Sequence, residues 1–163
     1  SLFKKEDALF LYTTYSYVET ARQTSTSNTT MYKTLSDIPH TLQVVTSYHF
    51  SSNIIPSLLL QYQSGRPYTP RYPELITENE QEVIKSSFGE RNSKRLPEFF
   101  TLNLKIAYTQ TLDTQSSLEY SFELTNATNH LNVHSALYDE KGEFSGYNYQ
   151  FPRIPWFDIT YRF

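Results

Sequence analysis

Hydrophobic and polar residues alternate along several stretches of the chain, most sharply in the last. Phe157, Ile159, Tyr161 and Phe163 are apolar or aromatic, and Asp158, Thr160 and Arg162 between them are polar. A period of two puts each set on its own face of an extended strand. The same pattern sets Phe100, Leu102, Leu104, Ile106 and Tyr108 against Thr101, Asn103, Lys105 and Thr109. It also sets Leu118, Tyr120, Phe122 and Leu124 against Glu119, Ser121 and Glu123. Two earlier segments alternate less strictly. In one, Leu42, Val44, Tyr48 and Phe50 oppose Gln43, Ser47 and His49; in the other, Leu58, Leu60 and Tyr62 oppose Ser57, Gln61 and Gln63. A first segment carries Tyr and Thr on both faces, so its pattern predicts a strand without telling which face is covered. The predicted strands span residues 8–19, 41–50, 54–64, 99–109, 117–125 and 155–163.

The connections sort by length. Residues 51–53 and 110–116 are short turns, whereas residues 20–40, 65–98 and 126–153 are long. Short and long alternate along the chain. Outer-membrane barrels have short periplasmic turns and long extracellular loops, and structureless loops beyond about 12–15 residues are uncommon in compact domains. The expected fold is therefore all-β: an antiparallel up-and-down transmembrane β-barrel segment. It would supply about six strands of a larger barrel, as an open curved sheet in isolation. Lys105, Glu119 and Glu123 should face the lumen, because a charge on the lipid side costs about 2–4 kcal/mol at the midplane. A soluble antiparallel sheet packed on one face would alternate in the same way. A hairpin centred near Asp113 would set Ile106 opposite Tyr120, Leu104 opposite Phe122, and Lys105 opposite Ser121 with Glu119 and Glu123 at the diagonals.

Composition agrees. Aromatics make up 16% of the 163 residues, with 14 Tyr and 11 Phe, and Gly is scarce at four. A net charge of −3 gives no basic footprint, so nucleic acid is not an expected partner. There is no cysteine, which excludes disulfides and thiolate metal sites. No apolar run approaches the roughly 20 residues of a membrane helix; a spanning strand needs only about 9–11 and alternates. The chain starts at Ser1-Leu2-Phe3-Lys4-Lys5 without an initiator Met or an export signal. The expectation is a C-terminal piece of a longer protein, lacking its plug. Phe157, Ile159, Tyr161 and Phe163 are the expected barrel-assembly signal, as the last strands of bacterial outer-membrane barrels end on such aromatics.

Several stretches, in order, resemble the C-terminal end of a TonB-dependent outer-membrane receptor. Asp37-Ile38-Pro39-His40-Thr41-Leu42 resembles that family's approach to a late strand. Ser64-Gly65-Arg66-Pro67-Tyr68-Thr69-Pro70 is similar to the segment at the top of the next. Arg95-Leu96-Pro97 before Phe99-Phe100-Thr101-Leu102-Asn103-Leu104 resembles an Arg-Leu-Pro approach, where the family has Tyr-His-Arg-Leu-Asp-Leu; the Arg and Asp are missing here. Asn126-Ala127-Thr128-Asn129 and Phe151-Pro152-Arg153-Ile154-Pro155 complete the set, which covers residues 37–163. The resemblance implies a barrel of about 22 strands with a plugged lumen. It implies uptake of a scarce nutrient such as a ferric siderophore, haem or cobalamin across the outer membrane of a Gram-negative bacterium, with the C-terminus periplasmic and the long loops extracellular. The implied partners are outer-membrane lipid, the rest of the barrel and plug domain, a TonB-type energy-coupling protein acting through the missing N-terminal part, the assembly machinery and the small-molecule or metal-chelate cargo.

Candidate chemistry is sparse. Arg66 and Tyr68 could touch ligand, although Gly65 and Pro67 beside them mark a strand end where backbone must turn. His130 and His134 stand at helical i, i+4 spacing near Asp139 and Glu140 in a predicted external loop, so they are ligand-contact candidates too; most loop histidines are merely solvated. The acidic residues between Glu74 and Glu82 read as a solvated loop with a helical turn. Asn28-Thr29-Thr30 and Asn126-Ala127-Thr128 match the glycosylation sequon, which means little in a bacterial barrel. No catalytic group, resident metal site or cofactor is predicted, and no enzyme. The alternatives are a passive porin or adhesion barrel and a soluble β carbohydrate-binding module.

Overall fold

The computed structural model describes residues 2–5, 8–23 and 31–163; the sequon at Asn28 lies outside them. Among the described residues there are fifteen strands and no helix. In chain order the first six are β1 (Leu2–Lys5), β2 (Leu9–Tyr17), β3 (Ala21–Gln23), β4 (Met31–Lys33), β5 (His40–Tyr48) and β6 (Ile54–Gln63). Next come β7 (Pro67–Tyr68), β8 (Arg71–Glu78), β9 (Gln81–Phe88), β10 (Lys94–Arg95) and β11 (Phe99–Thr111). The chain ends with β12 (Ser117–Thr125), β13 (Val133–Tyr138), β14 (Phe144–Tyr149) and β15 (Ile154–Arg162).

One antiparallel sheet runs in the order β1-β2-β5-β6-β11-β12-β15, an up-and-down meander without crossover. Its six long strands are those the alternation predicts, with boundaries moved by a residue or two. β1 was not predicted; it pairs with β2 from Leu2↔Thr13 to Lys5↔Phe10. The sheet is open, but it is not curled, which corrects the expected curvature. Curl in a barrel comes from ring closure, which fixes tilt and stagger for all strands together. Here β1 and β15 are the edges and pair with no further strand among the described residues, so nothing there imposes it.

The long connections are not structureless, as the sequence suggested. They carry the hairpins β3–β4, β8–β9 and β13–β14 and the small ladder β7–β10. The acidic stretch is the β8–β9 hairpin and not a solvated loop with a helical turn. Leu75↔Ile84 and Ile76↔Val83 pair across it, and Lys85 bonds Glu78 at 2.7 Å. Its two-residue turn, Asn79-Glu80, has φ of 51° and 65°, so both central residues are left-handed, as the tight hairpin turn matching strand twist requires. Without a Gly it gave no turn signal.

The β11–β12 register also differs from expectation. Ile106 opposes Phe122, Leu104 opposes Leu124, and Lys105 opposes Glu123 instead of Ser121. Asp113 is the reason. Its carboxylate accepts from the Gln115 and Ser116 amides, each at 2.8 Å, and from the Ser116 hydroxyl at 2.7 Å. These contacts, led by the Ser116 hydroxyl, hold the carboxyl below its ordinary range. The turn thereby centres on Thr114, one residue later, and the ladder moves by two. A two-residue slip preserves faces, so Lys105 stays with Glu123 on the polar side. The two are register partners but not an ion pair. On this face it is Glu119 that bonds a cation, Arg162, at 2.7 Å.

Registers carried across the sheet define its two faces. One row reads Leu11, Thr46, Leu58, Leu104, Leu124, Pro155, and another reads Pro56, Ile106, Phe122, Phe157. The pairing Tyr15↔Leu42 assigns Leu9, Leu11, Thr13 and Tyr15 of β2 to this apolar face, which its own sequence left open. Phe157, Ile159 and Tyr161 share it, as expected. The opposite row reads Phe10, Ser47, Ser57, Lys105, Glu123, Trp156. No second layer packs on the sheet among the described residues. Leu96 is their one buried large apolar residue, while Ile106 is 48% exposed and Phe157 67%.

Candidate functional site

The three long connections leave the sheet at one end, where β2, β6 and β12 finish, and there they fold on each other. The sequence motifs meet at this end as clamps. Asp37 is 1% exposed. One carboxylate oxygen accepts from the Thr20 amide at 2.6 Å, and the other takes the Arg95 guanidinium. Arg95 also donates to the carbonyls of Asp37 at 2.7 Å and Gly65 at 2.8 Å. Burial pushes the Asp37 carboxyl up, but the Thr20 amide and the Arg95 cation outweigh it and hold the group below the usual carboxylate range. Gly65 is needed for space: a Cβ there would lie 1.6 Å from the Leu96 carbonyl oxygen.

Asparagines do the same work elsewhere. Asn92, in the left-handed region at φ 53°, donates its backbone amide to the Thr69 hydroxyl at 3.0 Å and its side-chain amide to the Lys33 carbonyl at 2.6 Å, tying β4 to the β7–β10 ladder. Asn132 satisfies both backbone groups of Phe100 at 2.8 Å, continuing the edge of β11 where β12 leaves it. Asn126, at φ 50°, brackets the His130 backbone: its carbonyl oxygen accepts from the amide at 3.0 Å and its amide donates to the carbonyl at 2.9 Å. The resemblance motifs at Asp37, Gly65, Arg95 and Asn126 are thus fasteners of the loop end.

Two adjoining hollows open between the β8–β9 and β13–β14 hairpins, sharing Tyr68, Arg71 and Tyr138. The first, about 540 Å³, is also lined by Arg66, Phe88 and His134. The second, about 620 Å³, adds Tyr72, Lys94, Glu143 and Tyr147. The hairpins touch at Gly142, whose φ of 88° and missing Cβ let it approach the Tyr72 carbonyl; a Cβ would sit 2.7 Å from that oxygen. Arg71 lies 4.8 Å over the Phe88 ring and Lys94 5.5 Å over Tyr72. Arg66 donates to the His134 carbonyl. Among the described residues no carboxylate pairs with Arg66, Arg71 or Lys94. The Tyr68 phenol is pushed up to about 12 by burial, by the Tyr138 hydroxyl bonded to it and by the phenols of Tyr147 and Tyr72. It therefore stays protonated at neutral pH.

Of the four ligand-contact candidates, Arg66, Tyr68 and His134 come together on the first hollow. His130 does not; its ring packs edge-on against Phe100 at 5.9 Å. The helical spacing of the histidines is corrected as well: His134 lies in β13 and His130 in the irregular segment before it. No group of three metal-ligating side chains occurs among the described residues. Sequence reasoning missed Arg71, Lys94, Tyr138 and Tyr147 as lining residues. Residues 71–78 read Arg71-Tyr72-Pro73-Glu74-Leu75-Ile76-Thr77-Glu78, without an apolar face at a period of two, so the strand that carries Arg71 left no pattern to find it by.

No protein-family model, curated protein or solved structure matches this chain.

Proposed function

We propose that this chain is a wall segment of a TonB-dependent outer-membrane receptor, taking up a scarce nutrient such as a ferric siderophore, haem or cobalamin. One observation carries the reading: a single-layer sheet of six long strands presents a predominantly apolar face that nothing covers among the described residues. Each strand is nine to thirteen residues long, the span needed for a hydrocarbon core. In water that face would be an aggregation surface; against acyl chains it is matched. The polar face, with Lys105, Glu119, Glu123 and Arg162, suits a wet lumen. The free edges of β1 and β15 need partners in lipid, where unpaired backbone groups find no water, and further strands of a larger barrel would supply them. Sorting of the long connections to one end supports an extracellular loop side, and the ordered set of motifs favours the receptor family over a porin.

The test uses neighbouring residues on opposite faces. On a Trp156→Phe background, which removes the one native Trp, Ile106→Trp and Lys105→Trp are compared in brominated dodecylmaltoside micelles. Strong quenching at position 106 and weak quenching at position 105 is the expected result. Equal quenching, or the reverse order, would sink the lipid-facing assignment.

A further inference from the structure

We infer that the first hollow, between Arg66 and Arg71, binds an aromatic carboxylate: a planar ring bearing a delocalised oxyanion. This deepens the receptor reading and rests on it only for the groove's position outside the membrane. The hollow is about 540 Å³, within the range of small-molecule sites. No Asp or Glu lines it; Glu143 belongs to the second. One guanidinium is bonded to a carbonyl and the other is stacked on a ring, and among the described residues no carboxylate neutralises either charge. A guanidinium presents a planar fork of donors that fits a carboxylate with two parallel hydrogen bonds.

The rest of the lining selects the ring. Phe88, Tyr68 and Tyr138 offer aromatic faces and edges around the two cations. Burial raises the Tyr68 phenol, so it meets a ligand as a neutral hydrogen-bonding group. A metal ion would have to enter as part of a chelate whose own oxyanions meet the arginines. A neutral sugar would leave both charges unanswered, and a cationic ligand would be repelled.

The experiment uses the full chain in dodecylmaltoside and three isosteric probes: 1-naphthoate, 1-naphthamide and 1-naphthylmethylammonium. Binding is read by saturation-transfer NMR and by probe fluorescence anisotropy. Naphthoate should bind at least about tenfold more tightly than naphthamide, the size expected of a charge-assisted bond, and the ammonium should not bind. Arg66→Gln and Arg71→Gln should each weaken naphthoate about tenfold and leave naphthamide unchanged. Inorganic phosphate should compete poorly, since it lacks the ring. Equal affinity for naphthoate and naphthamide in the unmodified chain would overturn the proposal without reliance on any variant. So would unchanged naphthoate binding in Arg66→Gln/Arg71→Gln, which would place the probe in the micelle, or displacement by phosphate as effective as by benzoate. Quenching by brominated detergent reads the sheet alone, so failure of the barrel reading and failure of this site give different results.

Discussion

Replacing Arg95 with Met should open the loop end of the molecule while leaving the sheet intact. Asp37 is 1% exposed, and its carboxylate has two strong partners, the Thr20 amide and the Arg95 guanidinium. Arg95→Met removes the cation and leaves a buried anion with one hydrogen bond. Breaking a buried pair in this way costs about 3–5 kcal/mol. The Arg95 side chain is 29% exposed, so water can reach the vacated side and the lower end applies. The carbonyls of Asp37 and Gly65 lose a donor as well, adding about 1 kcal/mol in total where water takes its place. The expected loss is about 3–4 kcal/mol, confined to the clamp. Native-state hydrogen exchange reads it by residue. The Thr20 amide, which donates to Asp37, and the Leu96 amide, which donates to the Arg66 carbonyl at 3.0 Å, should exchange several hundredfold faster, at about 1.4 kcal/mol per factor of ten. Amides in the β11–β12 ladder should not change. The double variant Asp37→Asn/Arg95→Met should recover most of the loss, since it removes the stranded charge. If the double variant exchanged as fast as Arg95→Met alone, or if Arg95→Met left Thr20 protected, the buried-charge reasoning would be wrong.

Three further outcomes follow from the same end of the molecule. The folded-state carboxyl of Asp37 lies below its ordinary value, so the clamp's contribution is complete above about pH 4 and disappears as pH falls through the lowered value; the protection of the Thr20 amide relative to its intrinsic exchange rate should fall between pH 7 and 3 more than in Asp37→Asn. Tyr68 has the opposite sign: its contribution is complete below about pH 10 and is lost as pH rises toward 12, so alkaline difference absorbance at 295 nm should assign the latest-titrating phenol to Tyr68 by its disappearance in Tyr68→Phe. Gly65→Ala should destabilise the β6–β11 loop end by about 1–3 kcal/mol, because backbone and not a flexible side chain occupies the space of the new methyl; faster exchange at Leu96 with unchanged β11–β12 protection is the outcome that checks it.

The strands of the sheet were legible in the sequence because one face of each must be apolar, and a period of two records that demand residue by residue. Residues 99–111 and 117–125 show it best, and even a register wrong by two residues could not exchange their faces. β2 shows where local pattern stops. Tyr and Thr on both sides suit either environment, and pairing with β5 alone assigned Leu11 and Tyr15 to the apolar side. The hairpin at residues 71–88 was hidden by its acidic residues and by a turn that is left-handed without glycine. The motifs at Asp37, Gly65, Arg95 and Asn126 stood out as unusual residue types, yet their task is visible only once their partners meet. Arg66, Tyr68 and His134 stood out in the sequence, but that they share one hollow with Arg71 and Tyr138 did not. Its walls come from two hairpins far apart in the chain, joined where Gly142 approaches Tyr72. Alternation reports what each residue needs from its surroundings; only the tertiary structure decides which distant residues supply it.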